Sequence, residues 1–87
     1  MVNLKNRIAN KNMAIEMIKS LGLKKANKYT FLVRKTESVL YITASNNIFS
    51  VQESFLKKNK LITTSVKNNE EQSIQKFKKL ILENIND

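Results

Sequence analysis

Between Tyr29 and Val66, apolar and β-branched side chains come in short alternating runs, and on both sides of that stretch apolar residues return at three- and four-residue spacing. A period of two belongs to half-buried strands, and a period near 3.6 to amphipathic helices. A chain patterned this way puts sheet in its middle and helix at each end. The fold class is therefore α+β, with an N-terminal helix, a three- or four-stranded antiparallel sheet and a C-terminal helix packed on the sheet. Eighty-seven residues suffice for one small core, so residues 1–87 read as a single basic domain.

Ala14, Met17, Ile18 and Leu21 mark the first helix over Asn12 to Leu21, with Leu4 and Ile8 extending its face backwards and Asn10 or Asn12 available as cap. Gly22, the only glycine, stops it. Glycine enters the left-handed C′ conformation without steric penalty, and Leu23 behind it can reach back to Ile18. Two alternating runs, Tyr29 to Arg34 and Val39 to Ala44, flank a polar Lys-Thr-Glu-Ser turn and predict a hairpin. Asn46 and Asn47 supply the next turn, because asparagine tolerates positive φ.

A strand follows over Ile48 to Val51, then an irregular or briefly helical connection for which Ser50 and Glu53 would form a capping box; the alternative is a longer strand turning at Lys57 to Asn59. The run Lys-Leu-Ile-Thr-Thr-Ser-Val predicts a further strand. Asn69 as cap, Glu70 and Glu71 in the first turn and Gln72 closing an Asn-x-x-Gln box predict where the last helix begins. Its apolar stripe is Ile74, Phe77, Ile81 and Ile85.

Several chemistries fall away at once. Without cysteine or histidine there is no disulfide, thiolate nucleophile, Ser-His-Asp triad or ordinary zinc site. The acids are scattered apart from Glu70 and Glu71, which a helix start explains, so no catalytic residue, cofactor or metal is assigned and a non-enzyme is expected. No apolar run approaches the ~18 residues of a membrane span, nor is there a signal-peptide core. A cytoplasmic location is the expectation.

The net charge of +9 favours an anionic partner. Lysine outnumbers arginine fourteen to two beside twelve asparagines, a bias that AT-rich coding produces without selection on charge. Position is more telling than sum. Residues 1–35 carry nine cations against Glu16 alone, whereas residues 67–87 balance four cations with four acids. Lys24, Lys25, Lys28, Arg34 and Lys35 form the candidate nucleic-acid-binding cluster, with Lys5, Arg7 and Lys11 as further contributors, and such groups hold phosphate with little sequence preference.

Tyr29, Phe31 and Tyr41, on neighbouring strands, resemble the platform on which single-stranded bases stack, and Tyr29 and Tyr41 join the candidate site on that ground. Phe31 shares its face with Val33, however, and such a row more often packs beneath a helix. The opposite face would carry Thr30, Leu32, Arg34, Leu40 and Ile42. Both sides of these strands are largely apolar, which leaves the buried face undecided and suggests a second partner for the exposed one. The element order resembles that of double-stranded-RNA-binding domains and of the small Alu-RNA-binding proteins of the signal recognition particle. The former open their last helix with phosphate-gripping lysines, where this chain reads Asn-Asn-Glu-Glu-Gln, so no residue is carried over.

Two functions are expected on these grounds. One is a small non-catalytic protein that binds RNA or DNA through its N-terminal basic surface. The other is an interaction module, an accessory subunit or inhibitor docking on an acidic protein surface, possible also as a homodimer.

Overall fold

A computed structural model describes residues 4–86. Helix α1 (Leu4–Ser20) leads into strands β1 (Lys24–Lys25), β2 (Thr30–Arg34), β3 (Ser38–Ala44), β4 (Ile48–Phe55) and β5 (Lys60–Lys67), and helix α2 (Ser73–Asn84) closes the chain. The strands form one antiparallel meander in sequence order, and both helices lie on the same face of it. The fold is the expected α+β arrangement with five strands in place of three or four. No helix among the described residues is long and apolar enough to cross a membrane.

Register settles which face is buried. Phe31 lies opposite Ile42 and Val33 opposite Leu40, so these four point the same way, towards the helices. Phe49 and Val51 continue that face on β4, and Phe31, Leu40, Ile42, Ala44, Phe49 and Val51 pack with Ala14, Ile18, Phe77 and Ile81 in one buried cluster. At its centre the rings of Phe49 and Phe77 stack at 4.9 Å, the offset arrangement that favours aromatic pairs. The grouping of Leu40 and Ile42 with Thr30 and Leu32 is therefore corrected. A one-residue change of register exchanges the two faces of a strand, and alternation within each strand alone does not fix how the strands align.

The other face has no helix above it. Thr30, Thr43, Ser50 and Ser65 form one row across it, and Leu32, Tyr41, Gln52 and Thr63 another. Hydroxyl and amide groups pair across the strands, Thr30 with Thr43 and Gln52 with Thr63, each at 3.3 Å. Such pairs suit a sheet surface left in water.

Several boundaries move for identifiable reasons. β4 runs unbroken to Phe55, and the turn to β5 passes through Asn59 at φ 47°, so the longer-strand alternative is the observed one and no capping box forms. Ser50 pairs across the sheet, while Glu53 accepts hydrogen bonds from Lys35 and Ser38. The Asn46–Asn47 turn forms without positive φ. Instead the Ser45 hydroxyl accepts from the amides of Asn47 and Ile48 and closes the loop. Asn10 and Asn12 lie within α1 and do not cap it, whereas Gly22 is left-handed at φ 78°, as its position requires.

Helix α2 starts at Ser73, not at the Asn69–Gln72 box. Buried Asn68 is the cause. Its side-chain amide donates to the carbonyls of Arg7 (3.0 Å) and Ser45 (2.8 Å), and Asn10 donates to its backbone carbonyl (3.2 Å). With residue 68 held there, two tight turns (Glu70 N–H to Lys67 O, Ser73 N–H to Glu70 O) carry the chain over α1's flank, and Gln72 turns left-handed at φ 55° before the helix can begin. Glu70 pairs with Lys76 at 2.7 Å from outside the helix. The apolar stripe is as expected: Phe77 and Ile81 are buried, and Ile74 and Ile85 are half-buried.

Candidate functional site

The loop between β1 and β2 is shaped by one side chain. The Oδ1 of Asn27 accepts the amides of Tyr29 (3.1 Å) and Thr30 (3.0 Å), while Ala26 N–H donates to Thr30 O (2.8 Å). Asparagine satisfying backbone amides two and three residues ahead is the usual way to fix a tight loop without glycine. The result holds Lys28 and Tyr29 against the flank of α1.

From α1, Lys11, Ile15 and Lys19 project towards the same place at four-residue spacing, and with Lys25, Lys28 and Tyr29 they line an open groove. Lys11 Nζ lies 4.7 Å from the centre of the Tyr29 ring and Lys28 Nζ 5.4 Å from it. Each contact is a cation–π attraction, but gathering two ammonium groups on one ring also sets like charges side by side. Glu16 is the one carboxylate lining the groove, and it sits 3.7 Å from Lys19 in a largely exposed pair. Four lysines against one glutamate leave this groove with an excess of positive charge that a bound anion would relieve.

The remaining candidate residues separate. Lys24 stands opposite Leu32 and Arg34 opposite Val39, which places both on the open face of the sheet with Tyr41. The aromatic row is thereby divided three ways: Phe31 is in the core, Tyr41 is on the open face, and Tyr29 is in the groove with its ring engaged by lysines. Among the described residues, Tyr29, Phe31 and Tyr41 therefore do not form one platform. Lys35 is elsewhere again. Its ammonium donates to Glu53 at 3.1 Å and to the Asn84 carbonyl at 3.1 Å, and both partners of the ion pair keep only 13% of their side-chain surface exposed. This lysine ties the β2–β3 turn to the C-terminal end of α2, where a cation is favoured by the unpaired carbonyls.

Sequence reasoning makes Lys11 only a further contributor and leaves Lys19 out of the candidate cluster. Their i, i+4, i+8 spacing with Ile15 was the available signal, and only the loop fixed by Asn27 brings Lys28 to meet them. Among the described residues no group of three acids gathers to hold a metal ion. Compared with family models, with curated proteins and with solved structures, the chain matches none.

Proposed function

We propose that this protein is a non-catalytic nucleic-acid-binding protein that holds the phosphate backbone in the groove between α1 and the β1–β2 loop. One observation carries the reading: Lys11, Lys19, Lys25 and Lys28, from three separate parts of the chain, line one open groove that also contains Tyr29. Ammonium groups are point charges that meet phosphate without a fixed geometry, so affinity would be modest and nearly indifferent to sequence. Tyr29 acts here as a seat that orders Lys11 and Lys28, lowering the entropy lost when they close on an anion. Lys24, Arg34 and Tyr41 offer the strand a second, flatter contact on the open face.

The test is fluorescence anisotropy of labelled mixed-sequence RNA and DNA, single- and double-stranded, across a salt series. With about three phosphates neutralised, log K should fall with log salt at a slope of roughly −2 to −3. No association at low salt, or association indifferent to salt, overturns the reading.

A further inference from the structure

The two edges of the sheet are built differently. β1 is two residues long and both are exposed lysines, a short charged edge of the kind that discourages further pairing. β5 is eight residues long and pairs only with β4, so its outer row of backbone groups has no strand beside it. Seven of its eight residues are exposed, Val66 is half-buried, and neither glycine nor proline interrupts it. Its middle, Leu61 to Val66, is apolar or β-branched apart from Ser65, with Leu61 59% and Ile62 42% exposed on opposite faces. A long edge of this composition is a template for another strand.

Charge decides which strand. Lys60 and Lys67 stand at the two ends of β5, and Lys57 and Lys58 occupy the turn before it; all four are exposed. None of these four forms an ion pair among the described residues, and Glu37, which lines a small pocket with Lys57 and Lys58, is the one carboxylate near them there. A second copy pairing antiparallel along this edge would bring the Lys60 end of each strand to the Lys67 end of the other and join two chains of net charge +9. An extended segment with an apolar centre and acidic ends meets no such repulsion.

We infer that the β5 edge captures an extended acidic segment of a partner protein, which adds to the sheet as a sixth strand. Backbone hydrogen bonds to β5 supply the attraction and are blind to sequence. Selectivity comes from the side chains: apolar residues of the added strand lie beside Leu61 and Ile62, and its terminal carboxylates lie beside Lys57, Lys58, Lys60 and Lys67. The site is separate from the phosphate groove, so the two readings stand or fall independently.

The probe is a fluorescent peptide as long as β5, with alternating valine and threonine at its centre and two glutamates at each end, titrated into the full chain and followed by anisotropy. Amide hydrogen exchange of the protein is measured in parallel. Saturable binding with new protection confined to β5 amides is expected. A peptide N-methylated along one edge, which leaves the protein untouched, should bind at least tenfold more weakly, and so should a version with lysine in place of glutamate. The K58E/K60E variant should lose affinity about tenfold for the original peptide, whereas K11E/K28E should bind it as the parent does. Equal binding of the N-methylated peptide, protection outside β5, or a dimer that protects β5 without peptide would each overturn the inference.

Discussion

Lys28 and Lys35 stand near the two ends of β2, and the molecule treats them in opposite ways. Lys28 is exposed on an aromatic ring beside a second ammonium, and forms no ion pair among the described residues. Lys35 is largely withdrawn from water, hydrogen-bonded to Glu53 and to the end of α2, while the Ser38 hydroxyl donates to the same carboxylate oxygen, Oε2, at 2.6 Å. One charge is held where the fold does not require it; the other is a strut. Cations that look alike in a basic sequence thus divide into those free to meet an outside anion and those already spent on an internal one.

Removing the carboxylate tests this division most severely. Glu53→Ala strands the Lys35 ammonium in a site mostly closed to water, and should cost about 3 kcal/mol in chemical denaturation. Next comes Lys35→Met, which keeps the aliphatic bulk and leaves Glu53 its hydrogen bond from Ser38; a loss of about 2 kcal/mol is expected. The double variant Lys35→Met/Glu53→Ala should lie well short of the sum of the two, because neither charge is then left alone. Lys28→Glu has the smallest effect on folding, within about 0.5 kcal/mol, as exposed substitutions usually are. The same variant should weaken RNA association severalfold at low salt while Lys35→Met leaves the salt slope unchanged. A reversed order in either measurement would abolish the contrast between the two lysines.

The limits of sequence reading follow the same physics. Period and punctuation were enough for both helices, the glycine stop and the hairpin across Lys-Thr-Glu-Ser, since each depends on near neighbours. What depended on distant partners was not legible. Asn68 looks like any turn asparagine until Arg7 and Ser45 are beside it, and its burial displaced the start of α2 by several residues. The capping box at Ser50 and Glu53 satisfied a local rule but lost to pairing along an eight-residue strand. At the candidate site Lys24, Lys25 and Lys28 are close in sequence, yet the pleat sends Lys24 to the open face and Lys25 to the helix side. Lys35 could not be told from the rest, because its carboxylate lies eighteen residues away.

The clasp at Asn68 also bears on the order in which the molecule comes apart. Helix α1 buries only Ala14 and Ile18, and Leu4 and Met13 remain more than half exposed; its early turns depend on bonds to a residue about sixty positions along the chain. An element with so little core should open before the sheet does, exchanging its amide hydrogens while β3 and β4 stay protected. Each opening would carry Lys11 and Lys19 away from Lys28 and dismantle the groove. A ligand that needs all of these lysines would then act as a brake on that opening, slowing exchange throughout α1, including turns it never touches.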